Sequence, residues 1–192
     1  YSLMEQEIIN SFSKLSSLNV SRETFLDLEN YRSMLLEKNK EINLISQKTE
    51  QKKVFFDRHI LDSAQIIDFI DLNIDTTTDL GSGGGMPGII IAIILKNLKS
   101  HHKSHFLRDV SKKLKLKTEI IQKNIFEIKN LQTGTIMSRA FKPMPVVLDL
   151  VNENFSSYKN LIFFMGKNGK KIFENSLKNW DLEFTEKKSL TN

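Results

Sequence analysis

The stretch that most constrains this chain is Asp79-Leu80-Gly81-Ser82-Gly83-Gly84-Gly85-Met86-Pro87-Gly88, which holds five of its eight glycines. Glycine takes positive φ without a steric penalty and lets a ligand come close to the main chain. A short β-leaning run, Thr76 to Leu80, precedes the glycines, and an apolar run, Ile89 to Leu95, follows them. Pro87 has no N–H to give and a φ preset for helix, so it belongs in a first helical turn. The order strand, glycine turn, helix predicts the first βα unit of a doubly wound sheet, whose ligands bind at the carboxyl end of the strand.

Gly83 to Gly88 formally satisfies the G-x-G-x-x-G dinucleotide pattern, which is weak when it stands alone. Two neighbours speak against a pyrophosphate. Asp79 would repel it, and Pro87 removes one of the helix N–H donors it would use. A carboxylate at position 79 favours a cation, such as the sulfonium and amino group of S-adenosylmethionine. The alternative is a turn whose glycines serve only the backbone.

With 192 residues the chain has the size of one domain and buries a core unaided. It has no cysteine, hence no disulfide framework and no thiolate metal site, which fits a reducing, cytoplasmic setting. No apolar run reaches membrane-spanning length and no signal-peptide pattern opens the chain. Because residue 1 is Tyr1, the natural chain is expected to begin further upstream. A net charge of +5 permits an RNA partner without demanding one.

Residues 1–75 read as helices. Phe25, Leu28, Arg32 and Leu35 fall along one side of a helix that Ser21 can cap, and Leu36 widens the apolar stripe. In Val54 to Ile70, Arg58, His59 and Asp62 lie three and four apart, on one helical face. Spacing alone leaves open a solvated ion-pair face or the wall of a site, and offers too few ligands for a metal.

From Thr76 onward strands and helices alternate, which predicts an α/β fold with a mostly parallel sheet. Phe106 to Leu116 reads as a helix with Leu107, Val110 and Leu114 inward and Lys112, Lys113, Lys115 and Lys117 outward, a face that is either solvated or in contact with phosphates. Thr118 to Gln122 reads as a strand whose end, Asn124 to Glu127, faces the glycine crevice. Thr135 to Ser138 is the next strand and delivers Arg139 to its tip, as an ion-pair partner or a ligand contact. A helix then runs to Val151. Asn160 to Met165 is an apolar strand ending in the basic turn Gly166 to Lys171, and Trp180 to Ser189 reads as a late strand.

A parallel sheet needs a second strand after the first helix, ending in an acid about 20 residues past the glycines. Leu95 to His105 clusters no apolar residues and contains no carboxylate. The expectation is that a piece of the natural sequence is missing there, marked by one Cα step longer than the usual ~3.8 Å, and that a last strand is missing after Asn192.

The glycine stretch resembles the first motif of the bacterial 16S ribosomal RNA guanine-N7 methyltransferases, also called glucose-inhibited division protein B. Asn39-Lys40-Glu41-Ile42-Asn43-Leu44-Ile45-Ser46, Arg58-His59-Ile60-Leu61-Asp62-Ser63 and Ser138-Arg139-Ala140-Phe141 resemble its other signatures, in the same order. The likeness covers roughly residues 25 to 170, and the combination is specific where each piece alone is weak. It implies a Rossmann-like class I S-adenosylmethionine-dependent methyltransferase fold, with residues 1–75 as a helical extension packed on a core of residues 76–192. It further implies methyl transfer to a guanine N7 of 16S ribosomal RNA or the small ribosomal subunit, by a monomer without a metal.

In residues, the resemblance implies that Asp79, Gly81, Ser82, Gly83, Gly85 and Met86 hold the cofactor, with Ile125 and Phe126 beside its adenine. As residues in the first turn of a core helix, Ile125 and Phe126 would have no such role. Arg139 borders cofactor or guanine as a positioning residue, and His59 and Asp62 line the pocket. Lys112, Lys113, Lys167 and Lys170 are candidate RNA contacts. The family commonly has lysine where this chain has Met165. Two alternatives stay open: an RNA-binding module with a degenerate methyltransferase fold, and a methyltransferase with another substrate.

Overall fold

A computed structural model describes residues 2–12, 20–70, 76–96 and 105–191. The chain opens with helices α1 (Leu3–Ser11) and α2 (Arg22–Asn39). A continuous helical stretch follows, made of α3 (Lys52–Phe55), a π-helical segment (Phe56–Leu61) and α4 (Asp62–Ala64). Then come β1 (Thr77–Leu80), α5 (Gly88–Ile94), α6 (His105–Leu114), β2 (Leu131–Gln132), β3 (Thr135–Arg139), α7 (Met144–Asn154), β4 (Phe155–Ser157), β5 (Asn160–Phe164) and α8 (Gly169–Ser176).

Local chemistry explains the helix starts. Ser2 and Glu5 form a reciprocal capping box on α1, and the Ser21 hydroxyl accepts from the Thr24 N–H at the start of α2. The buried stripe of α2 is Phe25, Leu28, Tyr31 and Leu35. Tyr31, not Arg32, takes the inward position; Arg32 is half-buried and its guanidinium donates to the Glu50 carbonyl. A guanidinium with five donors needs acceptors and water, whereas a phenol buries its ring and satisfies one hydroxyl.

The main sheet has the order β1-β3-β5 and is parallel throughout. Leu80 pairs with Ser138, and Arg139 with Phe164, so the tips of all three strands lie at one end. Successive residues of a strand point to opposite faces. Ile136 joins Leu80, Val147, Leu150, Val151 and Phe155 in the core under α7, while Met137 joins Ile66, Ile67, Ile91 and Leu95 on the other face. Beyond that second face the largest core unites Ile89, Ile90 and Ile93 of α5 with Phe25, Leu28, Tyr31 and Leu35 of α2 and with Phe55, Phe56 and Ile60. Helices thus cover both faces of a parallel sheet, as the alternation of elements predicts.

Two expected strands are not formed. Residues 118–122 and 180–189 take no regular structure. A strand is held by its ladder, and among the described residues no strand lies beside the free edge of β1. The late segment is instead tied back by side chains: Lys187 Nζ donates to the Gln65 carbonyl at 2.7 Å, and the Leu190 N–H to Gln65 Oε1 at 2.9 Å. The expected second strand and long Cα step fall on residues 97–104, outside the described residues. Among the described residues no helix is long and apolar enough to cross a membrane.

Candidate active site

The chain leaves β1 through three glycines with positive φ: Gly81 at +69°, Gly83 at +54° and Gly85 at +105°. The turn closes on itself, the Gly85 and Met86 N–H groups donating to the Ser82 carbonyl at 2.7 and 3.1 Å. Its glycines serve different neighbours. A Cβ on Gly81 would lie 2.2 Å from the Phe141 ring, on Gly84 3.0 Å from Leu35, and on Gly88 2.7 Å from the Asp79 carboxylate. Around Gly83 such an atom would meet nothing within 4 Å. The open approach for a ligand therefore lies at Gly83, and Gly81 is bare because Phe141 packs there. Phe141 reaches it through Ala140, whose φ of +49° is a strained conformation for a residue with a Cβ.

Asp79 is buried beneath this turn. Its Oδ2 accepts from the Gly88 N–H at 2.9 Å, while the buried Oδ1 has no hydrogen-bond partner. Burial pushes its pKa up to about 7, against the opposing pulls of the Gly88 N–H, the Arg139 charge and the Ser82 hydroxyl. From the other side Tyr31, fully buried in α2, donates its hydroxyl to the Gly84 carbonyl at 2.9 Å.

Arg139, at the tip of β3, is clamped. It forms an ion pair with Asp62 at 2.8 Å, donates to Ser63 Oγ at 3.2 Å and to the Arg58 carbonyl at 3.1 Å, and lies over the Phe164 ring of β5. The acceptor carbonyl of Arg58 belongs to the π-helical segment, where the wider winding interrupts the regular ladder, a feature frequent at functional sites. His59 Nε2 shares a hydrogen bond with Thr49 Oγ1 at 3.0 Å, its ring meets Phe55 edge-on, and its buried Nδ1 has no partner. Burial, then the charge of Arg139, lowers its pKa to about 4, so the imidazole is neutral at neutral pH.

This arrangement, with a glycine turn, a buried carboxylate and a clamped arginine at one end of a parallel sheet, accompanies a match over residues 3–192 to the family GidB, rRNA small subunit methyltransferase G. The chain belongs to this family. A ribosomal RNA small subunit methyltransferase G of Pelagibacter ubique is 56% identical over 196 residues, covering 97% of this chain and 92% of its own length. That alignment exceeds the 192 residues here, so the relative carries residues without a counterpart in this chain. Proteins of the same name from Bartonella henselae and Orientia tsutsugamushi are 33% and 34% identical, covering 89% and 78% of this chain and 83% and 76% of their own lengths. The parallel sheet with helices on both faces is thus the Rossmann-like class I methyltransferase fold.

The remaining positions are less closely gathered. Ile125 and Phe126 form a 3-10 turn (Ile125–Glu127) capped by Asn124, not the end of a strand. Ile125 packs in the same core as Leu80 and Phe141, whereas Phe126 is exposed. Lys167 and Lys170 are exposed just past the tip of β5, at the end where Arg139 stands. Lys112 and Lys113 are exposed on α6, which packs on α2 and α5. Among the described residues no group of three or more His, Asp or Glu could hold a metal ion. Tyr31 contributes to the turn from outside every sequence motif, and Phe141 does so as the last residue of the Ser138 to Phe141 signature, which assigned it no role. Tyr31 was legible as the residue three past Leu28 and four before Leu35, on the buried side of α2.

Proposed function

We propose that this protein transfers a methyl group from S-adenosylmethionine to N7 of a guanine in 16S ribosomal RNA of the small ribosomal subunit, acting as a monomer in the cytoplasm. The observations that carry the cofactor reading are the open space at Gly83, in the turn that leaves β1, and the buried, unpartnered Oδ1 of Asp79 near the end of that strand. A carboxylate in that position fits a cationic ligand and opposes a pyrophosphate. Asp79, Gly81, Ser82, Gly83, Gly85 and Met86 would hold the cofactor, Ile125 and Phe126 would flank its adenine, and His59 and Asp62 would line the pocket. Bound there, the cofactor supplies an electrophilic methyl on a sulfonium.

The substrate reading rests on the relatives' name and on chemistry. Guanine N7 carries an exposed lone pair and no proton, so the reaction needs no general base. The residues fit that economy. Arg139 is fixed by Asp62, Ser63 and the Arg58 carbonyl, which suits positioning and not proton transfer. His59 is neutral but its Nε2 is engaged by Thr49. The task left to the protein is to hold nucleophile and methyl in line, with the base presented unstacked. Lys167 and Lys170, and on the α6 face Lys112 and Lys113, would contact phosphates. Residues 1–75 would form a helical extension on the core of residues 76–192.

The test is to incubate the protein with isotopically labelled S-adenosylmethionine and small ribosomal subunits, then digest the RNA to nucleosides for mass spectrometry. The expected product is 7-methylguanosine, with its fixed positive charge. Label found only on an exocyclic amine or a ribose oxygen refutes the assignment.

A further inference from the structure

The glycine turn has two sides: Gly83 faces open space, and Gly84 faces α2. On the inner side α2 makes two contacts one helical turn apart. Leu35 lies so close that a Cβ on Gly84 would be 3.0 Å from its Cδ1, and the Tyr31 hydroxyl donates to the Gly84 carbonyl at 2.9 Å. The peptide joining Gly84 to Gly85 is therefore pinned at both ends, because its N–H donates to the Ser82 carbonyl at 2.7 Å. Three consecutive glycines carry no side chains by which packing could hold them, and glycine loses more conformational freedom on ordering than any other residue. A peptide plane in such a turn can be fixed only through its own N–H and C=O.

We infer that Tyr31 is a positioning residue of the methyl-transfer site, a buried phenol that fixes the Gly84–Gly85 peptide so that the Gly83 side of the turn is preorganised for the cofactor. The inference rests on the cofactor reading above and deepens it: α2, more than forty residues upstream of the turn, becomes part of the cofactor site instead of a cover for the core. Burial raises the pKa of the phenol far above its ordinary value, so it remains a donor across the working pH range. Tyr31→Phe deletes the hydroxyl, keeps the ring among Leu28, Leu35 and Phe55, and leaves the Gly84 carbonyl without its donor.

The experiment compares wild type with Y31F by calorimetry of S-adenosylmethionine binding, steady-state kinetics on small subunits, and hydrogen exchange of the ligand-free chain. One lost hydrogen bond to a preorganised turn corresponds to about a fivefold change. The dissociation constant and the KM for S-adenosylmethionine should rise by that factor or more, while the KM for the ribosomal subunit stays within twofold. Exchange should accelerate in residues 81–86, with α2 and β3 unchanged. Equal cofactor affinity in wild type and Y31F overturns the inference, as does faster exchange spread evenly over the chain, which marks a purely structural role. A wild-type chain that binds no S-adenosylmethionine refutes the cofactor reading itself, and this inference with it. Wild-type binding with an unaffected variant refutes only the inference.

Discussion

Replacing Asp79 by asparagine tests the buried carboxylate at the centre of the site. In the native chain this group holds its proton up to about pH 7, against an ordinary value of 3.8. Above pH 4 the unfolded chain has released that proton and the native chain has not. Stability through this group is therefore fully present at low pH, falls as pH rises toward 7, and is flat beyond it. Between pH 5 and pH 8 the two units still to be crossed correspond to roughly 3 kcal/mol. An amide does not titrate, and its oxygen can accept the Gly88 N–H as Oδ2 does now. D79N should accordingly gain roughly 3 kcal/mol on wild type between pH 5 and pH 8, or about 6–12 °C in midpoint for a chain of this length. His59 has the opposite slope: its pKa is depressed to about 4, so its contribution is present above its ordinary value of 6.5 and is lost as pH falls. In wild type the two slopes oppose each other between pH 5 and 6.5, and the variant exposes that of His59 alone. Urea unfolding of both proteins at four pH values gives the difference directly. Parallel curves for wild type and D79N would show that Asp79 is not held neutral, and the reasoning from its burial would fail. Above about pH 7, where the native carboxylate is charged, the same variant should lose affinity for S-adenosylmethionine, since a neutral amide does not attract a cation.

Other substitutions separate the glycines and test the clamp. A Cβ on Gly83 meets no neighbour within 4 Å, so Gly83→Asp should lose only about 1 kcal/mol to its positive φ while abolishing cofactor binding; unchanged affinity by calorimetry would move the cofactor away from Gly83. Gly81→Ala should instead lower the melting midpoint by more than Gly83→Ala does, because its methyl displaces the Phe141 ring. Arg139→Ala leaves Asp62, about four-fifths buried, without its charged partner, with only Gln65 and Thr191 still bonded to its Oδ1. A loss of about 2 kcal/mol by urea unfolding is expected, together with a fall in kcat, and a stability within 0.5 kcal/mol of wild type, on the order of an ordinary surface change, argues against the clamp.

What the sequence determined by itself was the placement of local features. The glycine cluster before an apolar run fixed a strand-turn-helix unit, because few other segments tolerate such backbone freedom, and Ser21 with the spacing of Phe25, Leu28 and Leu35 located α2. Arg139 could be assigned to a strand tip because the apolar run before it and the prolines after it leave little else. What only the tertiary structure decided were facts about pairs of distant residues. That Asp62 holds Arg139, that Phe141 explains Gly81, and that Tyr31 reaches Gly84 are contacts between segments 50 to 80 residues apart, and no local spacing encodes them. For the same reason the segments 118–122 and 180–189 have strand-like composition without being strands. Side-chain pattern states what a segment could bury, but the backbone hydrogen bonds of a strand belong to its neighbour, and whether a neighbour is there is settled by the fold.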